Sequence, residues 1–278
     1  MKRFFQHVTK RHLVYFILVS LICGWIGVGI DQVLTDQSEG DTLGMLIWLV
    51  APLLCAIILN SKSKDWFGFG HRLNLKNNGI WYLISILIFP VVMIFFVFIA
   101  MIFNAVEFGT LNSSIIPLMF APMFFLFIKN IFEDFAWRGF LTAKLIKIKV
   151  NDFWIYIITG LVWALWHAAY YMVFLPEDIV GPSRLGVLGM SLIVIPIWGV
   201  MFTEIYRITG SVWPVVIMHM VEDAVPTLLI HEEHIITFKG ALSLWLEPLQ
   251  GIIPLAVYLI FGLWLRSQRI KLNKPESI

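Results

Sequence analysis

Charged side chains are scarce in this chain. They make up only 14% of its 278 residues, against about 25% in ordinary soluble domains, and so a soluble globular domain with a polar shell is excluded. Only two cysteines are present, Cys23 and Cys55; both lie in apolar runs, which excludes a disulfide framework and a cysteine-based zinc knuckle. No basic surface interleaved with aromatics exists to hold nucleic acid. There is no fixed-period repeat and no low-complexity segment. Two common hydrolase signatures are missing as well: no HExxH metalloprotease helix and no GxSxG nucleophile elbow occur. The nearest strings are HEEH at His231 to His234, which has the wrong spacing, and GVGID at Gly27 to Asp31. The latter has one residue too many for an aspartyl GxGD.

What the chain has instead is apolar length. Of its residues 59% are hydrophobic, and eight stretches are long enough to cross about 30 Å of hydrocarbon. They lie near 13–30, 43–59, 80–104, 115–141, 153–175, 186–206, 211–230 and 241–265. Lipid offers the backbone no hydrogen-bond partner, so such runs are helices rather than open strands. The expected fold is all-α: a polytopic membrane protein, a bundle of about eight transmembrane helices with both termini cytoplasmic. It reads as a single integral membrane domain, 1–278, with 115–230 as the core that carries the motifs. The run at 13–30 ends without a small-x-small cleavage site and is read as a retained helix.

Loop charge supports this orientation. With the termini inside, sixteen Lys and Arg residues fall on the cytoplasmic side, among them Lys10, Arg11, Lys62, Lys64, Lys144, Lys147, Lys149 and Arg266; only Arg184 and Lys239 fall outside. Positive residues collect on the cytoplasmic side of membrane proteins, and the outer loops, with Asp31, Asp36, Glu39, Asp41, Glu177 and Asp178, are acidic. The longest polar interval, Asn60 to Gly79, mixes Trp66, Phe67 and Phe69 with lysines. It reads either as a segment lying on the membrane surface or as an ordinary connector.

A few ionisable residues fall inside the spans, where each costs about 2.5–3.5 kcal/mol and so needs a partner or a task. They are Lys129, Glu133, Asp134 and Arg138 in IKNIFEDFAWRGF, His167 in WALWHAAY, and His219, Glu222 and Asp223 in HMVED. Asp134 and Arg138 are four apart and can pair on one helix face. Lys129 stands four before Glu133, so two intrahelical ion pairs would account for the whole segment without chemistry. Trp163 precedes His167 by one turn on the same face, where its indole can wall the imidazole. His219 and Asp223 share another face. The three helices carry these groups at overlapping depths.

The three strings E-D-x-x-x-R at Glu133 to Arg138, W-x-x-x-H at Trp163 to His167 and H-x-x-x-D at His219 to Asp223 occur in this order on three late helices. The chain thereby resembles the CPBP family of CAAX prenyl endopeptidases and bacteriocin-processing or immunity proteins, over roughly residues 115–230. The resemblance implies a catalytic role for Glu133, His167, His219 and Asp223, with Asp134, Arg138 and Trp163 supporting. Asp134 stands where the family usually has a second Glu, and Trp163 where it has Phe.

The implied activity is intramembrane endopeptidase: Glu133 activates water, His167 assists, and His219 stabilises the oxyanion. Asp223 either stays protonated, orients His219 or helps bind a cation. Glu133, His167, His219 and Asp223 also make a zinc-type ligand set, so the cofactor is either none or a divalent metal such as zinc. The expected partners are the lipid bilayer and a membrane-associated peptide or protein substrate, with no nucleic acid. The expected location is a cell membrane, in a bacterial plasma membrane. A non-proteolytic immunity or regulatory role, and a proton-relaying transporter, are the alternatives.

Overall fold

A computed structural model of the chain describes residues 2–37, 42–109, 115–180 and 183–272. It is almost wholly helical. The helices are α1 (Lys2–Asp31), α2 (Leu43–Ser63), α3 (Gly79–Ile102), α4 (Ile115–Phe120), α5 (Met123–Asp134), α6 (Ala143–Lys147), α7 (Asp152–Trp166), α8 (Glu177–Val180), α9 (Arg184–Thr209), α10 (Trp213–Glu222), α11 (Ser243–Leu246) and α12 (Ile252–Leu272). Three π-helical segments interrupt the series, at Phe135–Thr142, Tyr170–Phe174 and Asp223–Glu232. Two three-residue strands, β1 (Val106–Phe108) and β2 (Ile236–Phe238), pair antiparallel with Glu107 opposite Thr237.

Among the described residues, six helical stretches are long and apolar enough to cross a membrane: Thr9–Asp31, Leu43–Ser63, Gly79–Ile102, Asp152–Phe174, Arg184–Thr209 and Trp213–Glu232. The protein is an all-α multi-pass membrane protein. Along α3 the side chains of Val91, Ile94, Phe95 and Phe98 are more than half exposed, which only a hydrocarbon solvent makes favourable over so long a face. The expected span at 115–141 is not one continuous helix. It breaks at Ala121 and Pro122 between α4 and α5, since the residue before a proline is pushed out of the helical region. The last expected span, 241–265, is divided between α11 and α12, and α12, whose final turns hold Arg266, Arg269 and Lys271, is not among the six stretches.

The chain divides into two compact units, Met1–His71 with Phe132–Gly199, and Arg72–Ile131 with Val200–Ile278. In the first, α1 and α2 pack where both lack side chains: a Cβ on Gly27 or on Gly44 would lie 2.3 Å from the other's carbonyl oxygen. Small residues let membrane helices approach this closely. The GVGID string is thus structural, and its Asp31 accepts the Gly44 amide (2.8 Å) and the Gln37 side chain (3.0 Å) across the α1–α2 turn. Trp48 of α2 and Trp166 of α7 stack at 4.0 Å and exchange bonds, each indole donating to the other's carbonyl at 2.9 and 3.1 Å.

In the second unit α3 packs along α10. Met93 joins Val221, Ala224, Val225, Leu229 and Ile230 in one core cluster, with Met119, Met123 and Leu126 against it. Buried Glu204 accepts Arg269 Nε at 2.5 Å and lies 3.4 Å from Arg207, which fastens α12 to α9. The HEEH string is structural too: His231 sits 3.5 Å from Glu247, and His234 adopts a left-handed φ of 50° at the turn into β2.

Candidate active site

Each unit holds one cluster of the singled-out residues. In the first unit, Glu133 and Asp134 end α5, and Arg138 lies inside the π-helical segment that follows. Asp134 and Arg138 form the expected i,i+4 pair, Nη1 to Oδ1 2.7 Å, with both side chains wholly buried. The Arg138 guanidinium lies 4.2 Å over the Trp163 ring, a cation–π contact strengthened by the absence of water. Trp163 in turn donates its indole N–H to Glu133 Oε2 at 3.0 Å, and Glu133 is only 2% exposed. Arg138, Trp163 and Glu133 therefore form a stack in which the indole is held on its face by a cation and on its edge by the carboxylate.

His167 caps the end of α7, just before the second π segment. Its Nδ1 lies 2.9 Å from the carbonyl oxygen of Trp163. A carbonyl only accepts, so Nδ1 carries the proton in this bond. The ring stacks on Tyr171 at 5.4 Å and meets Trp48 edge-on at 5.8 Å. Trp163 does lie beside the imidazole as expected, ring centroids 6.2 Å apart, and it also fixes the ring through its backbone carbonyl while its indole N–H serves the glutamate.

In the second unit, His219 lies on α10 and is buried against the edge of Phe202 at 5.6 Å. Asp223 begins the third π segment. That segment has a cause in the sequence: Pro226 has no N–H to give the carbonyl four residues back, at Glu222, and the ladder slips to wider bonding. Asp223 Oδ2 accepts the Asn130 side-chain amide at 2.7 Å and lies 3.1 Å from the Lys129 ammonium. Lys129 is thus engaged with Asp223, which the simple intrahelical reading of 128–140 left out. Glu222 accepts a hydrogen bond from Thr227.

Two residues of this second cluster, Asn130 and Glu222, were not singled out as site residues from the motifs. Asn130 shows its relevance only through a contact 93 residues away in sequence. The π junctions adjoin all three motifs, and only the third carries a signal, Pro226.

His219, Glu222 and Asp223 each offer one ligand atom, all within 4.8 Å of one another. By donor type they suit zinc. The fit is poor on one side, since a dication on Asp223 would share its carboxylate with the fixed Lys129 ammonium 3.1 Å away.

Residues 113–225 match the model of the family described as type II CAAX prenyl endopeptidase Rce1-like. Over that stretch the chain is similar to the Rce1-like family. The match covers less than half of the chain, but it includes every one of Glu133, Asp134, Arg138, Trp163, His167, His219 and Asp223. No curated protein matches the chain. Over those residues the chain is similar to the type II CAAX prenyl endopeptidases that the model describes.

Proposed function

We propose that the protein is an intramembrane endopeptidase in which Glu133 activates water to hydrolyse a peptide bond of a membrane-associated protein or peptide. The observation that carries the reading is the Arg138, Trp163, Glu133 stack: a buried carboxylate is held by one indole N–H at 3.0 Å, and that indole is fixed by a guanidinium at 4.2 Å. A general base must be aimed before it can act. His167, with its proton on Nδ1, offers Nε2 to orient the water or to take up its proton. His219 serves the oxyanion as a donor.

Asp223 enters this scheme held by the Lys129 ammonium and the Asn130 amide, which offset the repulsion that a bare carboxylate would exert on the oxyanion. We assign no metal, because the Lys129 ammonium already compensates Asp223. If zinc were bound at His219, Glu222 and Asp223, it would supply a polarised water. The protein is proposed to reside in a bacterial plasma membrane with both termini cytoplasmic.

The test is a cleavage assay on purified chain in proteoliposomes, run beside Glu133→Gln. The variant should keep its thermal stability and lose cleavage by at least about a hundredfold, the scale of a lost general base. If Glu133→Gln keeps the phenotype in cells, the protein acts as a non-proteolytic immunity or regulatory factor. Stoichiometric zinc whose removal abolishes cleavage would overturn the metal-free assignment.

A further inference from the structure

The first unit carries a second feature, at the end of α1 and α2 opposite the acidic turn. Directly after α2 the chain crosses as a short loop, 64–71, with two different faces. Its inner face is fastened to the helix that carries the first motif. Lys144, 1% exposed, donates to the Asp65 backbone carbonyl at 2.7 Å and to its carboxylate at 2.9 Å, and Lys147 reaches the same oxygen at 2.6 Å. The Phe69 ring packs on Phe135 at 5.2 Å. The Phe69 carbonyl passes so near Gly139 that a Cβ there would lie 2.8 Å from it; only glycine admits the loop at this point.

The outer face is the reverse. Trp66 and Phe67 are 45% and 49% exposed side by side, while the one acid of the loop points inward and is neutralised by two lysines. Around them stand Lys62, Lys64 and Lys149, all exposed. Lys10 and Arg11, also exposed, join them, since their neighbour His12 interacts electrostatically with both Lys144 and Asp65. Five exposed cations thus lie near two half-exposed aromatic rings at the mouth of two spans, and the loop's own acid is paired. Aromatic rings prefer the headgroup level of a bilayer, and four to eight Lys or Arg beside a span attract anionic lipid.

We infer that loop 64–71 and its basic surround form a binding site for anionic phospholipid headgroups, with Trp66 and Phe67 inserted at the membrane surface. This goes beyond the peptidase reading and stands without it. Of the two readings of the Asn60 to Gly79 interval this proposal takes the membrane-surface one, with the loop tied by Asp65 to α6 and by Phe69 to the π segment after Glu133.

The experiment uses the full chain with Cys23→Ala and Cys55→Ala, and a fluorophore on Phe67→Cys, reconstituted in phosphatidylcholine vesicles containing phosphatidylglycerol. Quenching by brominated acyl chains reports which lipid touches the loop. Brominated phosphatidylglycerol should be favoured over brominated phosphatidylcholine. Lys62→Gln and Lys64→Gln should each reduce that preference by about fivefold. The same fluorophore on Val33→Cys, 79% exposed in the acidic turn at the other end of α1, should show no anionic preference. Equal quenching by the two lipids, no quenching at position 67, or an equal preference at position 33 would each overturn the assignment.

Discussion

Replacing Arg138 by Met tests the physical core of the candidate site. Arg138 and Asp134 are both wholly buried and 2.7 Å apart, so Arg138→Met strands a carboxylate with no water to solvate it. Breaking such a pair from one side costs about 3–5 kcal/mol, and the lost guanidinium contact with Trp163 at 4.2 Å falls within that figure rather than adding cleanly to it. For a chain of this size each kcal/mol lowers the melting temperature by about 2–4 °C, which predicts a fall of roughly 6–20 °C in thermal unfolding of the purified protein. The double variant Arg138→Met, Asp134→Asn removes the stranded charge and should recover more than half of the loss. Cleavage should not recover, because Trp163 still lacks the cation that holds its ring and with it the Glu133 hydrogen bond. A double variant no more stable than Arg138→Met would refute the buried-charge argument, and one that regains full activity would refute the stack.

Three further outcomes follow from other parts of the structure. Lys129→Met should lower cleavage by about tenfold or more, the scale of a hydrogen bond to a charged group, with little change in melting temperature because Lys129 is about one-third exposed; Lys129→Arg should restore activity. Burial by itself would raise the Asp65 carboxyl, but the bonds and charges of Lys147 and Lys144 outweigh it and hold Asp65 below its ordinary value. A depressed carboxyl contributes stability above its unfolded value near 3.9 and loses it as pH falls through the lower folded value. The melting-temperature gap between the native chain and Asp65→Asn should therefore be present at pH 7 and close below about pH 4. In α7, a Cβ on Gly160 would lie 2.4 Å from Pro196 Cα, so Gly160→Ala should destabilise by about 1–3 kcal/mol, while Gly29→Ala in α1, with nothing within 4 Å, should be tolerated in the same unfolding assay.

Much of the site was legible in order and spacing. Asp134 and Arg138 pair as their four-residue separation allowed, even though the residues between them belong to the π segment. The His167 ring is fixed by the residue one turn earlier. Other parts were not legible. Nothing in WALWH says that the Trp163 indole turns to a carboxylate thirty residues before it. Nothing in IKNIFED says that Asn130 and Lys129 serve Asp223. Both are bonds between helices, which no local period encodes.

Composition and hydropathy alone determined that this is an all-α membrane protein, because continuous apolar runs of about twenty residues suit spanning helices, whereas barrel strands are only about ten residues long. The motifs alone pointed to the seven residues. Tertiary structure decided who holds whom: that tryptophan steadies the glutamate, that lysine and asparagine neutralise and fix the late aspartate, and that a glycine opens room for the basic loop. Those choices depend on which side chains meet after folding, and contact distance is a property of packed helices rather than of positions along a chain.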